Sequence, residues 1–148
     1  MATFVGQFPY KVDEKGRIPI PPSFRHDLAD GGFLTPGQEG CIAIYTRAKF
    51  EEIAHTLQST GLPKGDNRVL SRRLFSKATE LKLDGQGRAM LPPELRQIAE
   101  ITDSATVVGV NSYAEIWSPQ RWKAQEEKPA QEVWEIIDTI ELTKDKPE

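Results

Sequence analysis

The sequence is poor in the residues that build most catalytic and metal centres. Its 148 residues include one cysteine, Cys41, and two histidines, His26 and His55. A lone cysteine cannot close an intramolecular disulfide, and it gives no basis for a multi-thiolate metal site. No apolar run approaches the ~20 residues needed to span a bilayer. No early segment joins basic residues to an apolar stretch in the manner of a secretory leader. The expectation is a cytoplasmic protein with no membrane partner. At 28% charged and 38% hydrophobic residues, the composition is that of an ordinary soluble globular chain.

An excess of positive charge is also missing, since the formal net charge is −3. The distribution matters more than the total. Residues 1–122 carry 15 lysines and arginines against 14 acids, whereas residues 123–148 carry four against eight. The acidity therefore belongs to the tail, and the body is close to neutral. A neutral body does not exclude nucleic acid, because a DNA-binding face needs a local cluster of cations and not a basic whole.

What the chain does have is an internal duplication. The block from Tyr10 to Arg25 returns, shifted by 71, from Leu81 to Arg96. Lys11, Asp13, Gly16, Arg17, Pro21, Pro22 and Arg25 recur as Lys82, Asp84, Gly87, Arg88, Pro92, Pro93 and Arg96. Val12, Ile20 and Phe24 keep apolar counterparts in Leu83, Leu91 and Leu95. Further on, Ala43–Thr46 matches Glu115–Ser118 with a shift of 72.

Each half follows one plan. An alternating strand leads into a polar turn and a second short strand. In the turn, Gly16 or Gly87 takes a positive φ at little steric cost. Asp13 or Asp84 accepts hydrogen bonds from the turn's backbone N–H groups. A Pro-Pro pair then stops the strand and opens a short helix, to about Ala29 or Glu100. A further strand pair ends in Ile42–Tyr45 or Ala114–Trp117, followed by Thr46 or Ser118 as a helix N-cap. Residues 59–66 read as a linker and 67–78 as a helix with Val69, Leu70, Leu74 and Phe75 as its apolar stripe. In the acidic tail, Val133, Ile136, Ile137 and Ile140 share one helix face, and residues 143–148 are expected to fray.

The domain plan is thus a first half-repeat at 1–58, a linker and helix at 59–78, a second half-repeat at 79–123, and an amphipathic tail at 124–148. Halves this small, with short strands, are marginal as independent cores. The expected fold is mainly β with short helices (α+β), the hairpins of both halves interleaved in one pseudo-symmetric barrel, plus a C-terminal helix.

Two Asp-x-x-Gly-Arg turns, each followed by a short strand, prolines and a helix ending near an arginine, resemble the MraZ family. Phe4-Val-Gly6, Arg72-Arg-Leu-Phe-Ser76, Val107-Val-Gly-Val110 and Glu115–Trp122 are similar to it as well, so that the likeness spans roughly residues 1–123. The resemblance implies a swapped-hairpin fold of the AbrB or SpoVT type with both half-units in one chain. It also implies a bacterial transcription factor that binds short direct repeats upstream of the division and cell-wall gene cluster, associated with the nucleoid. Ring-like homo-oligomers are implied too, and the family's DNA-contacting arginine falls on Arg17 and Arg88. The second turn departs from the first, with Gly85-Gln86 in place of Glu14-Lys15.

Spacing alone leaves two readings of Arg17 and Arg88. An arginine fork can meet guanine edges or phosphate from a two-stranded ribbon in the major groove. It can equally form an ion pair with Asp13 or Asp84 in its own turn. Duplication and resemblance together favour DNA, and the two roles can coexist, with the aspartate aiming the arginine. Lys11, Lys15 and Lys82 are candidate phosphate contacts, although single lysines are often simply solvated. For Arg68, Arg72, Arg73 and Lys77 on the middle helix, an exposed polar face or a subunit contact is favoured over DNA.

An enzyme is not expected, and no cofactor or small-molecule substrate with it. Asp13 and Asp84 could suggest a duplicated carboxylate dyad, but the arginine in each turn holds its aspartate ionised, the wrong state for sharing a proton. His26 and His55 fall at unrelated places in the repeat, and Gly37-Gln-Glu-Gly40 lacks the Lys-Ser/Thr end of a phosphate-binding loop. Cys41, in an apolar strand, reads as a core residue. The alternative to a DNA-binding regulator is an oligomeric scaffold that binds protein through its tail, where Trp134 and the isoleucine face can dock on a partner, although covering the protein's own surface or a neighbouring subunit is the favoured reading of that face.

Overall fold

The computed structural model describes residues 2–59 and 61–144. The first half contains β1 (Gln7–Lys11), β2 (Arg17–Pro19), α1 (Pro22–Arg25), β3 (Gly32–Pro36), β4 (Ile42–Thr46) and α2 (Arg47–Ser59). Then come α3 (Lys64–Ser76) and the second half: β5 (Thr79–Leu81), β6 (Arg88–Met90), α4 (Pro93–Ala99), β7 (Ser104–Gly109), β8 (Ala114–Trp117) and α5 (Pro119–Glu126). Helix α6 (Ala130–Lys144) closes the described chain.

The fold is mixed α/β, with two tandem halves that share their sheets. One antiparallel sheet runs β1-β7-β8-β4-β3-β5, and β2 pairs with β6 in a separate two-stranded ribbon. The first strand of each half crosses to the other: β1 lies on β7, and its counterpart β5 lies on β3. The registers follow the repeat. In the ribbon, Ile18 faces its own repeat partner Ala89, while Arg17 faces Met90 and Pro19 faces Arg88. In the large sheet, Ala43 faces its partner Glu115, and Ile42 and Ile44 face Ile116 and Ala114. A pseudo-twofold axis thus passes through both pairs. The expected barrel is not closed: β1 and β5 end the six-stranded sheet as unjoined edges. Pro9 is tolerated in β1 because an edge strand needs only one ladder partner.

One core joins the halves. Ile18, Ile20, Phe24, Leu28 and Leu34 from the first are buried with Ala89, Leu91, Leu95 and Ile101 from the second. Phe24 is buried in this core, with the Phe4 and Phe8 rings edge-on at 5.0 and 5.5 Å. A half taken alone would leave one side of this cluster in water.

Three helices are long, and α3 is shifted toward the linker, ending at Ser76 and not at residue 78. Helices α2 and α3 have 13 residues each and α6 has 15. Helix α2 follows Thr46, whose hydroxyl accepts from the Lys49 N–H at 3.1 Å, as a capping residue does. Ser118 does the same for α5 through the Arg121 N–H. Helix α3 begins inside the expected linker, directly after Pro63, whose fixed φ suits a helix entry. Its stripe divides: Leu74 and Phe75 are half-buried, with Phe75 edge-on to Phe50, but Val69 and Leu70 face solvent.

After the Pro-Pro pair, α1 is only one turn, and the chain goes on to Gly31 in i→i+3 turns instead of reaching Ala29 as helix. Helix α4 ends at Ala99, where Glu100 adopts a left-handed conformation and closes it. In the tail, Thr143 and Lys144 are helical, while the rest of the expected frayed end, 145–148, lies outside the described residues. No helix among the described residues is long and apolar enough to cross a membrane.

Candidate nucleic-acid interface

The two turns are built alike, atom for atom. Asp13 Oδ1 accepts the backbone N–H groups of Lys15 and Arg17 at 2.9 and 2.8 Å, and its Oδ2 accepts the Arg17 Nε–H at 2.7 Å. Asp84 repeats this with Gln86 N, Arg88 N and Arg88 Nε at 2.8, 3.0 and 2.9 Å. Gly16 and Gly87 donate back to the carbonyls of Asp13 and Asp84, with φ of +82° and +75°. Without a Cβ they take this conformation cheaply. Both carboxyls sit below the usual aspartate range. In each the largest cause is the hydrogen bond from the arginine's backbone N–H, opposed by partial desolvation and reinforced by the guanidinium and the second turn N–H. The aspartates are anions that only accept.

The ribbon then brings the two arginines together. In β2, Ile18 is buried and Arg17 and Pro19 lie on the outer side; in β6, Ala89 is buried and Arg88 and Met90 lie outside. The Arg88 Nη1 is 3.7 Å from the same Asp13 Oδ2 that binds Arg17 Nε at 2.7 Å, so both guanidinium groups converge on one carboxylate. Each aspartate binds the Nε of its own arginine, and among the described residues the terminal amino groups donate no hydrogen bond, although Arg88 Nη1 lies in the longer ion pair with Asp13. The ion pair predicted as the alternative is therefore present in both turns. It positions the forks without using all of their donors.

Lys82 joins Arg17 and Arg88 on one shallow depression of about 320 Å³ that Asp84 and Met90 also line. Lys15 is exposed within its turn, and Lys11 is exposed on β1 opposite Ser104.

Two further cations belong to this region, and sequence alone gives them no role. Arg25 donates through Nε to the Ile20 carbonyl at 2.8 Å, and Arg96 through Nε to Leu91 at 3.2 Å. Each lies against the turn glycine of the opposite half, Arg25 on Gly87 and Arg96 on Gly16. A β-carbon on either glycine would collide with that arginine. The signal was their recurrence in the duplicated block. Invisible in the chain is that the β2–β6 ribbon, extended by the Ile20–Gly87 and Leu91–Gly16 backbone hydrogen bonds, carries each one to the other half's turn.

The remaining chemistry is sparse. Cys41 is fully buried, and desolvation, with Glu115 beside it, pushes its thiol far above the ordinary value. Such a thiol is a poor nucleophile. Among the described residues no cluster of three or more histidine, cysteine or acidic side chains could hold a metal ion.

A family model described as "MraZ protein, putative antitoxin-like" matches residues 3–73 and again 74–138. The chain belongs to the MraZ family. The double match follows the duplication. A protein of Dehalococcoides mccartyi named "Transcriptional regulator MraZ" is 41% identical over 139 residues, covering 93% of this chain and 98% of that protein. One of Thermomicrobium roseum with the same name is 42% identical over 129 residues, or 87% and 91% of the two chains. One of Desulforamulus reducens, also so named, is 36% identical over 141 residues, or 93% and 99%. As a member of the MraZ family, the chain is a transcription regulator and not an enzyme.

Proposed function

We propose that this MraZ-family protein regulates transcription by binding short direct repeats of double-stranded DNA in its own promoter, upstream of the division and cell-wall gene cluster. It works in the cytoplasm, at the nucleoid, as a ring-shaped homo-oligomer. The two half-repeats form an AbrB/SpoVT-like unit, a reading supported by the strand exchange between them. The observation that carries the proposal is the convergence of Arg17 and Arg88 on the outer face of one two-stranded ribbon, with the terminal amino groups of Arg17 unpaired and those of Arg88 held only by the longer contact to Asp13. A ribbon of this width fits the major groove, and a guanidinium fork matches the guanine O6/N7 edge. Lys82, beside the forks, and Lys11 and Lys15 on the hairpins neutralise phosphates. Because the body carries little net charge, affinity comes from several ribbons on successive repeats.

A titration against the region upstream of the protein's own gene tests this, comparing wild type with Arg17→Ala/Arg88→Ala across a salt series. The expected result is sequence-preferring binding that weakens steeply with salt and is lost in the double variant. Binding that survives the substitutions would leave the regulator standing and overturn the contacts. Absence of any preference in wild type would favour the second reading, an oligomeric scaffold, which the exposed apolar face of α6 supports.

A further inference from the structure

The outer face of the β2–β6 ribbon carries one side chain that the paired arginines do not explain. Beneath the ribbon, Ile18 and Ala89 are fully buried in the core. Above it stand Arg17 and Pro19 from β2, and Arg88 and Met90 from β6. Met90 is 57% exposed and takes no part in that core. A single exposed apolar residue is ordinary on a protein surface, so exposure by itself assigns nothing. Its position is what matters. Met90 lies in register opposite Arg17, and it lines the same depression as Arg17, Arg88 and Lys82. The other apolar side chain there is Leu83, which is half-buried against the core and so already used by the fold. Met90 thus presents a free thioether arm among cationic groups, on the face that is proposed to enter DNA.

The pseudo-twofold axis sharpens this. It relates Arg17 to Arg88, and their cross-strand neighbours Met90 and Pro19 to each other. The aspartate, glycine and arginine are the same in both halves, but the residue two places beyond the arginine is not. A proline side chain is a ring closed on its own backbone nitrogen, and it reaches little beyond it. Methionine has three rotatable bonds and a polarizable sulfur, so it extends outward and adapts to an apolar partner. Two equivalent arginines therefore stand beside unequal apolar contacts.

In the major groove the bases offer hydrogen-bonding edges and one apolar feature, the C5-methyl group of thymine. A thioether has no donor for the purine acceptors and is itself only a weak acceptor. The methyl group is the feature that Met90 matches. Opposite residues of an antiparallel pair have Cα atoms about 4.5–5.5 Å apart, against about 3.4 Å between successive base pairs. We infer that Met90 is a specificity-determining residue, which covers the C5-methyl of a thymine roughly one or two base pairs from the guanine met by Arg17. At the Arg88 end the shorter Pro19 leaves the corresponding base pair without that contact. This inference rests on the DNA reading above and adds to it a base that the second half selects.

The test uses the duplex upstream of the protein's own gene in two forms, one with thymidine and one with deoxyuridine throughout, so that only the C5-methyl groups differ. The full chain is titrated with each at one salt concentration, as wild type, Met90→Ala and Met90→Leu. Met90 covers no core, so both variants are expected to melt with wild type. Wild type is expected to bind the uracil form more weakly, and its loss should exceed that of Met90→Ala by about fourfold for each methyl covered. Met90→Leu, which keeps an apolar arm, should retain most of the wild-type loss. Equal losses in wild type and Met90→Ala would overturn the assignment, because the methyl groups would then act through DNA shape or another residue. A loss in Met90→Leu as small as that in Met90→Ala would overturn the apolar contact. Equal affinity of wild type for both forms would overturn the inference while leaving DNA binding in place. A wild type with no preference for the thymidine duplex over one of scrambled sequence would overturn the DNA reading, and this inference with it.

Discussion

The turn at 13–17 and the turn at 84–88 share three residues, and differ at the two between the aspartate and the glycine. Glu14-Lys15 in one is Gly85-Gln86 in the other, a change of side-chain size, charge and backbone freedom. Yet corresponding hydrogen bonds agree to within about 0.2 Å. The turn is therefore fixed by the aspartate that collects two N–H groups, the glycine that reverses the chain, and the arginine that closes on the carboxylate. The middle pair is structurally free, so a functional difference between the two turns can come through it without disturbing the fold. Outside the turns the halves are less equal, because Phe24 has Leu95 as its counterpart.

That inequality gives the largest expected effect. Phe24→Ala should cost about 3–5 kcal/mol, since it removes a fully buried ring packed edge-on by two others. Leu95→Ala, equally buried but without ring partners, should fall at the lower end of about 2–5 kcal/mol. Urea unfolding at one fixed protein concentration measures both, since association shifts apparent stability. Equal losses would mean that the aromatic cluster adds nothing beyond its buried area.

The turn glycines come next. Alanine at either must hold a left-handed backbone, at about 1–2 kcal/mol. At Gly87 the three atoms nearest the new methyl all belong to the movable Arg25 side chain, whereas at Gly16 one of the three is the Leu91 carbonyl oxygen, 3.0 Å away. Gly16→Ala should therefore be the more damaging of the two in thermal unfolding. The reverse order would show that the displaced arginine, and not the backbone, limits the turn.

A smaller effect depends on pH. Both turn aspartates are lowered in the folded state from an ordinary value of 3.8, first by the arginine's backbone N–H. A lowered folded pKa stabilises the fold above the unfolded value, and that contribution fades as pH falls through the folded one. Melting temperature should thus drop below about pH 4, and less steeply in Asp13→Asn/Asp84→Asn than in wild type. Parallel pH profiles would show that other carboxylates control acid sensitivity.

Much of this comparison could be read in the chain itself. The duplicated Asp-x-x-Gly-Arg block dictates its own turn, because every interaction within it is local, and the recurrence of Pro21-Pro22 as Pro92-Pro93 locates the helix entries. The strand exchange needed more, since β1 and β7 are joined only through the tertiary fold. For the same reason the roles of Arg25 and Arg96 stayed hidden: their nearest glycines lie in the other half. Helix α2 was foreshadowed by Thr46, but a cap fixes where a helix starts and not how far it runs. In α3 the apolar spacing identified the helix, while the half of its stripe that stays in water depends on how far the sheet beneath extends.

The mildest substitution bears most directly on function. Glu14→Gly/Lys15→Gln converts the first turn into a copy of the second. Because neither side chain holds the turn, stability should change by no more than about 0.5 kcal/mol, as for other exposed positions. DNA binding provides the contrast. If Lys15 neutralises one phosphate, its loss should flatten the slope of log affinity against log salt by about one. Loss of Glu14 removes a nearby repulsion, so affinity at low salt should change little although the slope changes. An unchanged slope would place Lys15 in solvent and leave the phosphate contacts to Lys11, Lys82 and the paired arginines. A slope that changes only in this variant, and not when Gly85-Gln86 is made Glu-Lys, would establish that the two halves approach the duplex differently despite identical turns.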